Sequence, residues 1–326
     1  MNLPFFKKSK KDPNIFTVAF YNVENLFDTH DDILTNDDDF LPKAEKRWTK
    51  KRYKKKLYKL ATAISQIGKK RTGTAPALVG LAEVENKRVL EDLVDTGRLK
   101  EHGFDYVHYD SPDERGIDVA LIYKRDEFKE ISSRSISIDI TVDPELPDFT
   151  RDILVVEGEL LGEPINIIVN HWSSRREGVK ETEHKRVTAS NKVMELVNDI
   201  RLKEPDSKII VMGDFNDDPS SKSVQQLTNK LDLFNPMKTL LSYTRGTLNH
   251  KFQWNIFDQI LITTNFFETE TGAFKFSKAD IYDKDFLRQY KGKYKGHPFR
   301  TYVGRKYKGG YSDHFPVFIQ LKKLRS

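Results

Sequence analysis

The chain has 326 residues, of which 37% are hydrophobic and 32% charged, and 55 Lys and Arg against 49 Asp and Glu give a formal net charge of +6. This composition argues against a disordered chain, provides for a large core and is compatible with a polyanionic partner without naming one. The sequence contains no Cys, which excludes disulfide scaffolds, zinc–thiolate sites, iron–sulfur clusters and cysteine nucleophiles, so any metal must be bound by oxygen or imidazole.

Short runs rich in β-branched and aromatic residues predict the strands. In chain order they are Ile15–Tyr21, Ala77–Ala82, Ile117–Tyr123, Ile153–Leu160, Ile165–Val169, Lys208–Met212, Ile256–Ile262 and Phe315–Leu321. Helical periodicity and capping residues predict helices over Lys43–Ile67, Asn86–Val94 with Asn86 as the N-cap, Thr182–Leu202 and Ser220–Leu231. Irregular structure is expected over Asp28–Asp39 and Asp283–Tyr311. Strands that alternate with helices, together with neighbouring strands joined by short turns, predict an α/β protein with a mixed sheet system covered by helices.

No internal repeat, low-complexity segment or Pro/Ser-rich linker divides the chain. We therefore expect a basic N-terminal tail over residues 1–14 and a single domain over residues 15–322. The first residues carry lysines where a secretory signal needs an apolar stretch, and no run approaches the roughly 18 apolar residues of a membrane span. These features predict a cytoplasmic monomer without a transmembrane segment.

Polar residues suited to metal or proton chemistry stand at the ends of several predicted strands. They are Asn22, Glu83, His171, Asp214 and Asn216, joined by Asp258 inside a further run and by Asp313 and His314 before the last strand. Side chains at strand ends are fixed by the core yet open to solvent, which is where sites are usually built. Oxygen ligands with few imidazoles suit Mg²⁺ or Mn²⁺, and such metals act on phosphate. Because the chain has no Walker-type glycine loop and no GxGxxG after a strand, hydrolysis of a phosphoester is the reaction that remains.

Six motifs in this order resemble a known superfamily. They are NVEN at 22–25, AEVEN at 82–86, NHWSS at 170–174, GDFND at 213–217, FDQI at 257–260 and SDHFPV at 312–317. In order and approximate spacing they resemble the endonuclease/exonuclease/phosphatase superfamily of metal-dependent phosphodiesterases, over about residues 15 to 322. The resemblance implies a four-layered α/β sandwich, in which two facing mixed β-sheets are flanked by helices and the site lies at one edge.

The resemblance also implies which residues bind the metal, on what we call the metal side of the site. Glu83 would be the principal ligand of Mg²⁺ or Mn²⁺, with Asn22 close to the same metal and to the phosphate, and Asp313 would complete this side. Glu24 stands where many nucleases have Asp, so its longer side chain would reach the metal only through water.

The remaining motif residues would carry the proton chemistry. By the same resemblance, Asp214 would orient or activate the attacking water, and Asn216 would donate to the developing negative charge. His314, oriented by Asp258, would be the base or a phosphate contact. His171 would protonate the leaving oxygen or bind the phosphate.

Two positions bear on the branch of the superfamily. His171 resembles the second histidine of the deoxyribonuclease and sphingomyelinase branches, whereas abasic-site endonucleases usually carry tyrosine there. Gln259 follows the aspartate of the DQI motif, where inositol-polyphosphate phosphatases carry a basic residue. His171 therefore disfavours the abasic-site endonucleases, and Gln259 disfavours the inositol-polyphosphate phosphatases.

Other charged residues have two readings. Arg115 and Asp118 would either face the substrate phosphate or form a surface salt bridge. The acidic group of His30, Asp31, Asp32, Asp37, Asp38 and Asp39 lacks the pattern of an EF-hand, so we expect a solvated loop. The basic face of the first helix would either contact nucleic acid or, as is usual for such a face, be solvated. It carries Lys50, Lys51, Arg52, Lys54, Lys55, Lys56 and Lys59.

The segment before SDHFPV combines cations with aromatic residues. It carries Lys284, Arg288, Lys291, Lys293, Lys295, Arg300, Arg305, Lys306 and Lys308, interleaved with Tyr290, Tyr294, Phe299, Tyr302 and Tyr307. Either it binds a single strand or an extended anionic substrate, or it is a loop that packs its own aromatic rings.

The function predicted from the sequence is hydrolysis of phosphoester bonds, dependent on Mg²⁺ or Mn²⁺, by in-line attack of water without a covalent intermediate. A nuclease-like phosphodiesterase acting on nucleic acid is favoured. The alternatives are a small-molecule or lipid phosphodiesterase or phosphatase of the same superfamily and, more distantly, a non-catalytic module that binds nucleic acid or another polyanion.

Overall fold

The structure is a computed structural model that describes residues 11–140 and 149–324. Of the expected basic tail over residues 1–14, residues 1–10 lie outside this part. Within the described residues the chain forms a six-stranded sheet, a five-stranded sheet and two short hairpins, with helices packed around the sheets.

The first sheet is mixed and contains both ends of the described chain. In spatial order it is β12-β15-β1-β2-β4-β3. Its strands are β1 Ile15–Leu26, β2 Leu78–Val84, β3 Phe104–His108, β4 Asp118–Lys124, β12 Phe274–Ile281 and β15 Val317–Lys323.

The second sheet is formed by one continuous middle section of the chain. In spatial order it is β11-β8-β7-β6-β5. Its strands are β5 Phe128–Ile136, β6 Ile153–Leu160, β7 Glu163–His171, β8 Ile209–Asp214 and β11 Asp258–Ile262. The short hairpins pair β9 Leu248–His250 with β10 Gln253–Asn255, and β13 Tyr302–Val303 with β14 Lys306–Tyr307.

Helices cover the outer faces of both sheets. They are α1 Lys50–Ile64, α2 Lys69–Thr72, α3 Lys87–Val94, α4 Gly97–Glu101, α5 Glu183–Lys203 and α6 Lys222–Lys230. The group formed by α1, α3 and α4 packs beside the first sheet, whereas α5 and α6 pack on the second. No helix in the described ranges combines the length and hydropathy needed to cross a membrane.

The alternation of side chains along the second sheet produces the layers. Ile209 and Val211 of β8 belong to the cluster formed with α5 and α6, whereas Ile210 and Met212 belong to the core shared with the first sheet. Successive residues of a strand point to opposite faces, so both faces of β8 are buried. The sheets approach closely, because a Cβ added at Gly80 of β2 would lie 2.5 Å from Met212 Sδ. The expected four-layered sandwich with two facing mixed sheets flanked by helices is confirmed.

Every predicted strand is present; β6 has the predicted bounds, and the others differ at one or both ends. The strands that the sequence did not predict include β3, β5 and β12, which all lie at sheet edges. β5 has the sequence FKEISSRSI and β12 the sequence FKFSKADI. Their charged residues protect a sheet edge from pairing with other chains, but they also interrupt the hydrophobic pattern by which strands are predicted.

The start of the first helix was predicted too early. Helix α1 begins at Lys50 instead of Lys43, because Thr49 is extended and its side chain accepts a hydrogen bond from Arg52 N. Trp48 precedes the helix, is fully buried and donates from Nε1 to the carbonyl oxygen of Phe27 at 2.9 Å. The end was predicted too late, since the helix ends at Ile64. The predicted cap of α3 is confirmed, with Asn86 accepting from Val89 N.

Candidate active site

Strand register brings the motif residues to one edge of the sandwich. β1 and β2 are parallel, and Asn22 lies opposite the residue before Glu83. β7 and β8 are also parallel, with His171 opposite Asp214, and β11 places Asp258 opposite the same aspartate. Residues far apart in the sequence therefore share one end of the two facing sheets.

The last motif reaches the same edge through β15, which pairs antiparallel to β1. Ser312 precedes this strand and donates from Oγ to the carbonyl oxygen of Asn22 at 2.7 Å, and it accepts from His314 N at 3.0 Å. This buried serine fixes the backbone that carries Asp313 and His314.

Asp214 is the centre of the predicted proton chemistry. Its carboxylate accepts hydrogen bonds from Asn22 Nδ2 at 3.0 Å and from Asn216 N at 2.9 Å. His171 Nε2 lies 3.7 Å and His314 Nε2 lies 3.9 Å from Asp214 Oδ2. Burial raises the pKa of Asp214 to about 6, against the lowering effect of His314. A buried carboxylate with a pKa in this range is suited to accept a proton from water.

His314 is held by the residue that the sequence assigned to orient it. Its Nδ1 lies 2.7 Å from Asp258 Oδ2, which leaves Nε2 facing Asp214 and Asp313. Burial alone would lower the pKa of His314, but Asp258, Asp214 and Asp313 together raise it well above its usual value. This charge state favours a cationic contact to phosphate over the role of base.

His171 is in the opposite electrostatic situation. Burial and then the positive charges of Arg151 and Arg115 lower its pKa well below the usual value. Among the described residues its Nδ1 has no hydrogen-bond partner, although the atom is buried. A neutral imidazole with an unused nitrogen favours hydrogen bonding to phosphate over protonation of the leaving oxygen.

Asn216 is oriented by its own backbone and by the end of β7. It has a φ of 48°, in the left-handed region, and its Nδ2 donates to the carbonyl oxygen of Trp172 at 2.9 Å. The second hydrogen of this amide remains for a substrate oxygen. Left-handed backbone in a non-glycine residue costs free energy and is often found at functional sites.

Two neighbouring bulges shape the metal side. The β1–β2 register shifts between Asn22 and Leu26, and the β2–β4 register shifts around Glu83. Glu24, Asn25 and Glu83 have φ values of 52°, 50° and 65°. A bulge redirects a side chain that regular pleating would turn elsewhere. Glu83 Oε2 accepts from Asn25 N at 2.8 Å and lies 3.9 Å from Arg115 Nη2.

A half-exposed cation, Arg300, and a buried one, Lys56, face these carboxylates. Arg300 donates from Nη2 to Asp313 Oδ2 at 2.8 Å, and its Nε lies 3.4 Å from Glu24 Oε1. Lys56 Nζ lies 3.9 Å from Glu24 Oε2, and burial lowers the pKa of Lys56 to about 8, although the negative charges of Glu24 and Asp313 raise it. Glu24 also accepts from Thr301 N at 2.6 Å, so it fixes the loop at 299–311.

The donor set fits a hard divalent cation. Asn22, Glu83 and Asp313 offer amide and carboxylate oxygens, the ligands that Mg²⁺ and Mn²⁺ prefer, and the chain has no thiol to compete. Asp214, Asp258 and His314 also present ligand atoms within 4.8 Å of one another. The raised pKa of His314 disfavours that second group, because a metal needs the unprotonated imidazole.

The basic face predicted for α1 is partly wrong. Lys56 is buried and shares a face with Tyr53, Leu57 and Leu60, and its Nζ contacts Thr301 Oγ1 and the carbonyl oxygens of Tyr311 and Glu24. A lysine three residues after Tyr53 and four before Leu60 was a usable signal. Several of the other cations of this face remain exposed, including Lys50, Lys51, Lys54 and Lys55.

For Asp118 the structure supports neither a position facing a substrate phosphate nor a surface salt bridge. It is buried and bonds to His108 Nε2 at 3.1 Å and to Ser111 N at 3.0 Å. Arg115 does turn toward the site, where its Nη2 contacts Asn25 Oδ1. Of the expected solvated acidic loop, Asp37 is buried, whereas Asp31, Asp32, Asp38 and Asp39 are exposed.

Two open spaces meet at Arg300. The arginine cleft, of about 490 Å³, is lined by Glu24, Asn25, Arg115, Arg176 and Arg300 among others. On the other side, a groove of about 470 Å³ shares Arg300 and also includes Asp313. A substrate phosphate at the carboxylates therefore has room on both sides.

Comparison with protein families finds a match over nearly the whole chain. A model described as the Endonuclease/Exonuclease/phosphatase family matches residues 17–323. A search of the curated proteins finds no match.

Solved structures share the fold at low identity. An endonuclease/exonuclease/phosphatase family protein from Bacteroides thetaiotaomicron has a TM-score of 0.59 at 19% identity, covering 95% of this chain and 98% of its own. The human Nocturnin catalytic domain with bound sulfate has a TM-score of 0.57 at 16% identity, covering 96% of each chain. A mannosyl-6-phosphatase of Bacteroides thetaiotaomicron VPI-5482 has a TM-score of 0.56 at 19% identity, covering 94% of this chain and 99% of its own.

We predict that Lys56→Met destabilises the protein by about 3–5 kcal/mol, because it removes the buried cation beside the Glu24 carboxylate and leaves only the half-exposed Arg300. Urea unfolding measures this loss. Lys55→Met, on the exposed side of the same helix, should change the free energy of unfolding by less than about 0.5 kcal/mol. Equal effects of the two variants would contradict a structural role for Lys56.

Proposed function

The chain belongs to the Endonuclease/Exonuclease/phosphatase family, and from this premise we propose that it is a divalent-metal-dependent hydrolase of phosphoester bonds, of the nuclease-like phosphodiesterase kind. The observation that carries the proposal is the arrangement around Asp214. A carboxylate with a pKa of about 6 lies beside a cationic imidazole and a neutral one, next to an all-oxygen donor set.

Glu83, Asn22 and Asp313 are the residues that we assign to hold Mg²⁺ or Mn²⁺. When bound, such an ion neutralises charge on the phosphate oxygens and stabilises the transition state. Arg300 contacts Asp313 and lies beside Glu24, so its guanidinium is placed to bind a phosphate oxygen as well.

Asp214 is the residue that we assign to the attacking water. Its hydrogen bonds from Asn22 and Asn216 fix the carboxylate, and its pKa of about 6 allows it to accept a proton near neutral pH. His314, cationic and held by Asp258, and the free amide hydrogen of Asn216 stabilise negative charge on phosphorus-bound oxygens. No side chain needs to form a covalent bond to phosphorus in this scheme.

Nucleic acid is the substrate class that we favour. The groove beside Asp313 is lined by Lys251, Lys291, Lys293 and Lys308, which suits a chain of phosphates extending away from the reacting one.

A small phosphoester is the second candidate, and the arginine cleft is the observation that favours it. A volume of about 490 Å³ is typical of small-molecule sites, and its arginines Arg115, Arg176 and Arg300 suit a phosphomonoester. The similarity in fold to a mannosyl-6-phosphatase is in keeping with this candidate. A lipid phosphodiester belongs to the same class, whereas the non-catalytic binding module is disfavoured because the motif positions retain their chemistry.

We predict that Glu83→Gln weakens binding of Mn²⁺ and lowers the rate of bis-p-nitrophenyl phosphate hydrolysis together. The amide keeps the shape of the side chain but loses most of its attraction for a hard cation. Calorimetric titration with Mn²⁺ measures the first effect, with Glu91→Gln on the exposed face of α3 as the control. Unchanged Mn²⁺ affinity would contradict the assignment of Glu83 as a metal ligand. Full activity in the presence of a chelator would contradict metal dependence itself.

His314→Ala and Asp214→Asn should each lower turnover by roughly 10²–10⁴-fold, the usual range for a positioned acid or base. Because Asp258 acts through His314, the double variant Asp258→Asn/His314→Ala should be little slower than His314→Ala alone. Steady-state kinetics on bis-p-nitrophenyl phosphate measures the rates of the wild type, of the three single variants, including Asp258→Asn, and of the double variant. Losses that multiply would show that Asp258 acts independently of the histidine.

Replacement of Lys291, Lys293 and Lys308 by Gln should weaken binding of a single-stranded oligonucleotide and flatten its salt dependence. Each lost phosphate contact removes about 0.7 from the slope of log affinity against log salt. Fluorescence anisotropy over a salt series measures the slope, with Lys51, Lys54 and Lys55 of α1 changed to Gln as a charge-matched control. An unchanged slope would favour the small-phosphoester candidate.

A further inference from the structure

The groove beside Asp313 has a built interior as well as a basic rim. Its walls are the β9–β10 hairpin and the segment 289–308, and it shares Arg300 and Asp313 with the active site. A ligand that lies in this groove is therefore adjacent to the reacting phosphate.

The hairpin is tied to the catalytic residues. Leu248 at its start pairs with His314 in an isolated antiparallel bridge, and Phe315 N donates to the carbonyl oxygen of Thr247 at 2.8 Å. Thr247 Oγ1 also accepts from Asp258 N at 3.3 Å. The position of the groove relative to the active site is fixed by these contacts.

Two parallel, partly exposed aromatic rings lie in the groove. The rings of Phe252 and Tyr294 are stacked, with centroids 5.8 Å apart and an interplanar angle of 8°, and the two residues are 52% and 48% exposed. The Lys293 ammonium lies 5.2 Å from the centroid of Phe252. Lys251 and Phe252 have φ values of 48° and 66°, so the turn that presents this ring is strained. Strain of this kind persists where the surroundings enforce it, as at ligand sites.

A polar side chain beside these rings lacks partners. Asn249 is one of the residues that line the same groove, and both its amide nitrogen and its amide oxygen are shielded from solvent without a hydrogen-bond partner in the described ranges. Leaving a shielded donor and acceptor unpaired costs about 1–3 kcal/mol each. A ligand with an adjacent donor and acceptor would satisfy both atoms.

We propose that this groove is a subsite for the base of an unpaired nucleotide whose phosphate lies at the active site. This inference rests on the proposed function and adds the substrate class. The base would stack on the ring surface of Phe252 and Tyr294, and Asn249 would pair with the donor and acceptor on its edge. Only an unpaired base exposes both its face and its pairing edge.

The charge of the groove supports the same ligand. Lys251, Lys291, Lys293 and Lys308 line it against the single carboxylate of Asp313 among its described lining residues, and that carboxylate is neutralised by Arg300. A lipid chain would gain nothing from these lysines or from Asn249, and a phosphopeptide would not need a flat ring surface.

Equilibrium binding tests the subsite without turnover. We expect AMP or CMP to bind more tightly than ribose 5-phosphate in calorimetry, and Phe252→Ala to weaken the nucleotide by roughly 5- to 150-fold, the range for one base–aromatic stack. Asn249→Leu, which retains an apolar fill, should also weaken the nucleotide but leave ribose 5-phosphate unchanged. Tyr58→Ala, an exposed tyrosine on α1, is the control. Equal affinity for nucleotide and ribose 5-phosphate, or no effect of Phe252→Ala, would overturn the proposal.

Kinetics separates this inference from the proposed function. Phe252→Ala should lower kcat/KM on a single-stranded oligonucleotide by the same factor, and leave bis-p-nitrophenyl phosphate within about 2-fold. DNA and RNA strands of one sequence, and the DNA duplex, identify the preferred form. If the wild type hydrolyses neither strand, the nuclease function fails, yet base-dependent binding that Phe252→Ala abolishes would still uphold the subsite. If both strands are hydrolysed equally well by wild type and variant, the subsite fails and the function stands.

Discussion

The active site depends on the packing of one sheet against the other. The hydrogen bond from Asn22 to Asp214 joins β1 of the first sheet to β8 of the second. The bond between His314 and Asp258 crosses in the same way, from the segment before β15 to β11. Neither sheet holds all of the residues that we assign to the site, so the distance between the sheets fixes the geometry of the site. Close packing, such as that of Gly80 against Met212, keeps this distance constant.

A second constraint comes from burial of charge. Glu24 is buried beside Asp313, and burial raises its pKa to about 7 despite the cations of Lys56 and Arg300. Such a group contributes little to stability, since its desolvation offsets its ion pair. Its effect is geometric, because Glu24 and Lys56 both bind the Thr301 region and hold the loop of Arg300 in place. The position of Arg300, which we propose binds a phosphate oxygen, is therefore set by its contacts with buried residues.

The sequence predicted the interior of the fold well, and the motif residues that it singled out lie together at one edge of the sandwich. Buried strands such as β8 have continuous apolar runs. The edge strands β5 and β12 mix apolar with charged and polar residues, and the sequence did not predict them. The residues that the motifs did not reveal act through tertiary contact. Lys56 resembled a surface cation until its contacts with a loop some 245 residues away were seen. The sequence around Asn249 and Phe252 predicts no binding site, because the groove that they line exists only where the segment 289–308 packs opposite them.

The order of the strands has a consequence for synthesis. The second sheet is one continuous section of chain, but β15, which follows His314, must pair with β1. β1 and β15 are thus neighbours in the sheet, although most of the described chain separates them in sequence, so β1 is made long before its partner. A nascent chain that lacks β15 has no partner for β1 on that side, and β12 lacks the strand that joins it to the sheet. Pairing over such a sequence distance slows folding and leaves this part of the sheet exposed to aggregation until β15 is in place.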